Sequence, residues 1–358
     1  MKIEDIDVGA LKAPLIQPFR VATGQHDTLD NLLVTLKLDD GTVGYGEAAV
    51  ASHITGETLE QTRENLVIAS QCLRGYPASD YLRISNWLHN SFPRHKAGVC
   101  AIEMALLDAL MGQMKIPLWK MFGSVARKLE SDITIVITSL EETKNKTEEF
   151  YRQGFRSFKV KIGQDMDLDF KRVQAVADLA PQSNIILDAN QGYDSTQALQ
   201  FLNMLDKSGI KIDLIEQPTV KGDIEGLKRI RKSSKVPVCA DESASSLTDV
   251  FLLIKEDAVD AINIKLMKTG LIHSFEIARI AKAHGLKLMI GGMMESNLAM
   301  TAAAHLASGF GLFDFVDLDT PFFIKDEAPR NPYLDSSGVY DLTRVRAGIG
   351  IRPRNDTE

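Results

Sequence analysis

The stretch Ser157–Gly163, SFKVKIG, sets two lysines, Lys159 and Lys161, one residue apart in an otherwise apolar run. Alternate side chains of a β-strand share a face, so both ammonium groups point the same way while Phe158, Val160 and Ile162 point the other. Similar runs flank it: DITIVIT before it, then NIILDANQ, DLIEQP, VPVCADES, AINIKLM, LKLMIGG and FDFVDLD after it. Amphipathic stretches such as DFKRVQAVADLA and SFEIARIAKAHG lie between them. Short apolar strands alternating with helices at a period of about 25 residues indicate parallel βα units closing into a barrel. An open, doubly wound sheet ranks lower, since no Gly-rich phosphate loop follows any strand.

Upstream the texture differs. MKIEDIDVGAL and NLLVTLKLDDGTVGYGEA read as three strands with Asp40-Gly41 as a hairpin turn, and three helical patterns follow. The expected organisation is an α+β capping domain over 1–124, a barrel over 125–320, and a segment over 321–358 that lacks the repeat and returns to the cap. Of the 358 residues, 44% are hydrophobic and 25% charged, an ordinary globular composition with room for two domains. A net charge of -7 without basic runs argues against nucleic acid and anionic membranes as partners. No apolar run approaches the roughly 20 residues of a membrane helix. Three scattered cysteines and an N-terminus without a signal-peptide pattern suit a cytoplasmic protein.

Chemistry in βα barrels sits at the carboxyl ends of the strands. Asp188, Glu216 and Asp241 end three successive strands at the same place in each unit. One acid after a strand reads as a helix cap. Three in phase, brought to one rim, would repel each other, and a divalent cation relieves that repulsion; an all-oxygen set suits Mg²⁺ or Mn²⁺ over Zn²⁺. Lys161 precedes these strands and Lys265, in AINIKLM, follows them, so the two would approach a bound ligand from opposite faces. Burial near a cation disfavours the ammonium form and suits a lysine to general base work. One lysine would remove the α-proton of a metal-chelated carboxylate and the other return it, inverting the carbon. The bland alternative makes the lysines salt-bridge partners of the acids.

These residues resemble the enolase superfamily, in its muconate lactonizing subgroup. The family's K-x-K matches Lys159-Val160-Lys161, its three ligands match Asp188, Glu216 and Asp241, and its second base matches Lys265. The resemblance implies a modified (β/α)₇β barrel capped by an α+β domain, and an assembly of identical chains. It also implies that Lys159 helps hold the substrate carboxylate. Asp317 and Asp319 in FDFVDLD look like the D-x-D motif of the dipeptide epimerases, which binds the ammonium of a dipeptide. The implied activity is Mg²⁺-dependent inversion of the C-terminal residue of a dipeptide. Alternatives in the same subgroup are N-succinylamino acid racemase, o-succinylbenzoate synthase and muconate cycloisomerase. Side-chain selectivity is expected from two cap loops, QPFRVATGQHD and AAVASHITGE, and from GGMMES after the seventh strand. Ala51, Met293 and Met294 favour an apolar or mixed pocket, Arg20 keeps an acidic side chain open, and His53 and Glu295 complete the candidates. The other histidines read as structural.

Overall fold

The computed structural model describes residues 1–353 apart from 22–23, 53–55, 124, 126–127 and 326–329. The cap begins with an antiparallel sheet of β1 (Ile3–Val21), β2 (Gly24–Leu38) and β3 (Val43–Ala48). Among the described residues three helices follow: α1 (Leu59–Leu73), α2 (Tyr81–Ser91) and α3 (Lys96–Gln113). Strand β3 lies directly on α3 because Gly44 and Gly46 carry no side chain: a Cβ there would collide with the carbonyl oxygens of Ala105 and Ala101. Thr58 caps α1 by accepting from Gln61 N (3.3 Å).

The first expected cap loop is a correction. Residues 17–21 and 24–27 are not loop but the continuing arms of the β1–β2 hairpin, paired through Arg20↔Gln25 and Val21↔Gly24 after an irregularity between Pro14 and Phe19. Prolines have no N–H to give the ladder, so pairing lapses around Pro14 and Pro18 and then resumes. The alternation that results turns Phe19 inward and Arg20 outward.

After β4 (Leu129–Glu130), the barrel strands are β5 (Ile133–Ile135), β6 (Ser157–Lys161), β7 (Asn184–Asp188) and β8 (Leu214–Glu216). They continue as β9 (Val238–Ala240), β10 (Ala261–Lys265), β11 (Lys287–Gly291) and β12 (Phe315–Val316). The intervening helices are α4 (Leu140–Gln153), α5 (Met166–Leu179), α6 (Ser195–Lys207), α7 (Ile224–Ser233) and α8 (Leu247–Lys255). Past β10 come a short turn of helix, α9 (Leu266–Thr269), and α10 (Leu271–Ala283); α11 (Asn297–Phe310) lies between β11 and β12. All eight strands are parallel and adjacent in chain order. The sheet curls until its ends meet, where Asp132 N donates to Val316 O and Leu318 N to Ser131 Oγ, both at 2.8 Å. Seven βα units and a final strand give the (β/α)₇β barrel.

Two-residue periodicity builds the interior. Ile186, Leu214, Cys239, Ala261 and Met289 form a separate buried apolar cluster with Phe315 packed against it. This is the barrel floor. Two residues further along the same strands stand Asp188, Glu216, Asp241, Asn263 and Gly291. The outward residues Phe158, Val160 and Ile162 join the large core under the helices. The chain after β12 runs back along the cap: Lys325 N donates to Pro14 O, Leu118 N to Gly348 O and Ile349 N to Asp108 Oδ1. β13 (Val339–Tyr340) pairs with β4. No helix among the described residues is long and apolar enough to cross a membrane.

Candidate active site

Register delivers the charged layer to one level. Lys161 pairs with Asp188 and Asp188 with Glu216, while Lys265 stands opposite Gly291. Asp188, Glu216 and Asp241 are wholly buried. Each has one oxygen fixed by the scaffold. Asp188 Oδ1 accepts from Asn190 N (2.9 Å), Glu216 Oε1 from Asn263 Nδ2 (2.8 Å) and Asp241 Oδ1 from Lys268 Nζ (2.7 Å). The second oxygens face lysine ammonium groups. Asp188 Oδ2 lies 2.9 Å from Lys159 Nζ and 2.7 Å from Lys161 Nζ; Glu216 Oε2 lies 2.8 Å from Lys159 and Asp241 Oδ2 2.7 Å from Lys265. Glu216 Oε2 and Asp241 Oδ2 are buried yet accept no well-formed hydrogen bond. Three buried carboxylates, each anchored through one oxygen and offering the other, fit a hard divalent cation held by oxygen, Mg²⁺ or Mn²⁺.

Charge state follows from these contacts. Burial works against the ammonium of Lys159, but Asp188, Asp317, Glu216 and Asp132 outweigh it and raise its pKa well above the ordinary value. At Lys265 burial is likewise outweighed, chiefly by Asp241 and then Glu216, and its pKa is raised. Burial pushes Glu216 up to about 7, with the Asp188 charge adding to it. Asp241 is held below the carboxylate range: burial works upward, and Lys265 and Lys268 outweigh it.

Above this layer opens a cavity of about 60 Å³. Lys161 and Lys265 reach it from strands four apart, on opposite sides of the barrel, and Lys159 lines it as well. Asp317 and Asp319 line it too. Asp317 Oδ2 accepts from Lys159 Nζ (2.7 Å), and Asp319 Oδ2 accepts from Thr134 N (2.6 Å). Phe19 and Ala51 from the cap and Met293 and Met294 from the loop after β11 give the wall its apolar surface, beside Thr134, Asn190 and Thr320.

Two candidates lie elsewhere. Arg20 is exposed and its Nε donates to Gln25 Oε1 (2.7 Å), on the outer face of the hairpin. Glu295 is buried behind the cavity wall, where Oε1 accepts from Met293 N (2.7 Å), and burial pushes its pKa up to about 8. His53 lies outside the described residues.

Sequence reading missed several supports. Asn263 sits two residues before Lys265 and so on its face of β10; alternation alone could have found it. Lys268 also donates to Asp241 O (2.6 Å) and Asn263 O (2.9 Å). Arg172, wholly buried, donates to Lys161 O (2.8 Å) and Val136 O (2.6 Å), tying β6 to the end of β5. Glu47 on β3 joins cap to barrel. Its Oε1 accepts from Asn31 Nδ2 (2.6 Å) and Ser296 N (2.9 Å), and its Oε2 from Ala299 N (3.3 Å) at the start of α11. Asn31 Nδ2 also donates to Met294 O (2.9 Å).

Residues 5–123 match the "Mandelate racemase / muconate lactonizing enzyme, N-terminal domain" and residues 142–357 match "Enolase C-terminal domain-like". The chain belongs to the mandelate racemase and muconate lactonizing enzyme family. Within that family it is 46% identical, over 99% of its length and 98% of the relative's, to a hydrophobic dipeptide epimerase of Citrifermentans bemidjiense. It is 33% identical to an L-Ala-D/L-Glu epimerase of Clostridium acetobutylicum, over 99% of its length and 100% of the relative's. A dipeptide epimerase from Enterococcus faecalis, solved with Mg and L-Leu-L-Tyr, superposes with a TM-score of 0.94 at 31% identity, covering 98% of this chain and 99% of that one. This family member is an isomerase of the epimerase type.

Proposed function

We propose that this enzyme is a Mg²⁺-dependent dipeptide epimerase that inverts the α-carbon of the C-terminal residue and prefers hydrophobic side chains. The observation that carries the reading is the pairing of Lys161 and Lys265 across one cavity that two acids, Asp317 and Asp319, also line. Asp188, Glu216 and Asp241 would hold the Mg²⁺, which would acidify the α-proton of the substrate carboxylate and offset the charges that now keep Lys265 an ammonium. One of the two lysines removes the α-proton from its face of the carbon. The other supplies a proton from the opposite face, so configuration inverts. Lys159, fully buried, meets the negative charge that grows on the carboxylate.

Asp317 and Asp319 take the dipeptide's ammonium and so fix which residue presents its α-carbon to the lysines. Phe19, Ala51, Met293 and Met294 surround the side chains. Phe19, Ala51, Met293 and Met294 line the cavity and Arg20 is turned away from it, which supports apolar over acidic side chains. The 46% identical relative, a hydrophobic dipeptide epimerase, supports the same preference.

The test is α-proton exchange in D₂O. Hydrophobic L,L-dipeptides incubated with enzyme and Mg²⁺ should lose the C-terminal α-proton signal and acquire the L,D diastereomer. No exchange across a broad dipeptide library sinks the reading. Turnover of N-succinylamino acids, with no dependence on Asp317 and Asp319, would point to the racemase of the same subgroup.

A further inference from the structure

The tightest group of carboxylates among the described residues is not the ligand set. It is Asp132, Asp317 and Asp319, each offering an oxygen within 4.8 Å of the other two. Asp317 and Asp319 have donors, Lys159 Nζ and Thr134 N. Asp132 has none. It is 1% exposed, and both of its carboxylate oxygens are buried without a hydrogen bond. Its backbone explains why it is there: Asp132 N closes the barrel seam on Val316 O, so closure itself carries this acid in behind the end of β12.

Three ionised carboxylates so close in a dry interior are strongly unfavourable, and the one without donors is the worst placed. A proton resolves this, because a protonated acid becomes a donor and its neighbours are acceptors. Burial first, and then the charges of Asp317 and Asp319, push Asp132 well above the carboxylate range, whereas at Asp319 burial and the Asp317 charge, opposed by the Thr134 hydrogen bond and Lys159, reach about 7. Asp132 is therefore the member that keeps the proton.

We propose that Asp132 is a positioning residue behind the ammonium subsite, a neutral acid whose O–H donates to the Asp317–Asp319 pair and holds that pair ready for a single ammonium. Asp132 does not line the cavity, so it is a positioning residue acting through its neighbours. The charge count supports the assignment. With Asp132 neutral, two negative charges remain; Lys159 stands against Asp317, and the ammonium of the substrate meets Asp319. An ionised Asp132 would leave an excess charge better matched by a second divalent ion. This inference rests on the dipeptide reading above.

Two variants separate charge from hydrogen bonding. Asp132→Asn keeps a neutral donor and should leave kcat and KM for a hydrophobic dipeptide within about threefold of wild type. Asp132→Ala removes the donor and should raise KM about tenfold or more with kcat little changed, the size of one hydrogen bond to a charged group. Asn as damaging as Ala, or Ala without effect on KM, overturns the proposal. A second readout needs no turnover. The infrared difference between wild type and Asp132→Asn at neutral pH should contain the carbonyl stretch of a protonated carboxylic acid, and its absence overturns the proposal even if Asp132→Ala does not fold. Two Mg²⁺ per chain in wild type, one of them lost in Asp132→Asn, also overturns it. A wild-type enzyme that epimerises no dipeptide would defeat the functional reading instead, and the infrared band would still decide whether Asp132 carries the proton.

Discussion

Replacing Asp319 with asparagine removes one charge from the cavity lining and changes little else. The amide oxygen can still accept from Thr134 N, now at 2.6 Å, so the backbone contact to the start of β5 survives. What is lost is a charge-assisted hydrogen bond to the substrate ammonium, about 1.5–3 kcal/mol, or about 12- to 150-fold in kcat/KM. The pH dependence makes the test stricter. Burial and the Asp317 charge bring Asp319 to about 7. Only its ionised form attracts an ammonium, so affinity is gained as pH rises through that value and lost as it falls. Between pH 6 and 7.5 the ionised fraction grows about eightfold, and the upper limit stays below the point near 8 where a substrate α-amino group sheds its proton. The assay is kcat/KM for one hydrophobic dipeptide, wild type against Asp319→Asn, across that range. Taking the ratio cancels titration of the lysines, which both forms share. The ratio should climb about eightfold. A ratio near one at every pH would show that Asp319 does not hold the ammonium.

Lys161→Ala and Lys265→Ala should each lower epimerisation by at least about 10²–10⁴-fold. Each should still exchange the α-proton of one diastereomer in D₂O, and the two variants should prefer opposite diastereomers; NMR of both substrates checks this. Chelation should abolish exchange while circular dichroism stays unchanged, because lysine–carboxylate pairs already hold the charged layer together, and added Mg²⁺ should restore activity and raise Tm. His305 offers a stability test away from the chemistry. Its Nδ1 accepts from Trp119 N (3.0 Å) and its Nε2 donates to Ile349 O (2.9 Å), and burial depresses its pKa from 6.5 to about 4. The unfolded chain binds the proton first, so this contribution is whole above pH 6.5 and lost as pH falls toward 4. Urea midpoints should fall by the equivalent of about 2 kcal/mol between pH 7.5 and 5, and less in His305→Asn.

The barrel and its charged layer were legible because both follow from a two-residue period. A strand that places Lys159 inward must place Lys161 inward, and the same rule puts Asp188, Glu216 and Asp241 two residues above an apolar floor. Other features were less legible. Residues 17–21 read as a cap loop, which makes Arg20 a substrate candidate; as strand, Arg20 alternates with Phe19 and faces out. Glu295 stands next to Met294, yet the turn after β11 sends it to the backbone of Met293. Asp132 precedes the first barrel strand and looks like an ordinary loop acid; only the closing of the sheet brings it to Asp317. Lys268 is in view in AINIKLMK, but its contact with Asp241 depends on the single helical turn that follows β10.

Glu47 has a consequence for how selectivity can change. One buried carboxylate of the cap grips Ser296 and Ala299, and its neighbour Asn31 grips Met294, so the apolar wall is assembled from two halves pinned together at one point. The lysines and the acids belong to the barrel strands alone. A chimaera that takes its cap from a relative while keeping the equivalents of Glu47 and Asn31 would import new walls around an untouched proton-transfer apparatus. The enzyme is in this sense a socket with an exchangeable collar, and Glu47 is the bayonet that lets one collar be swapped for another without realigning the chemistry beneath.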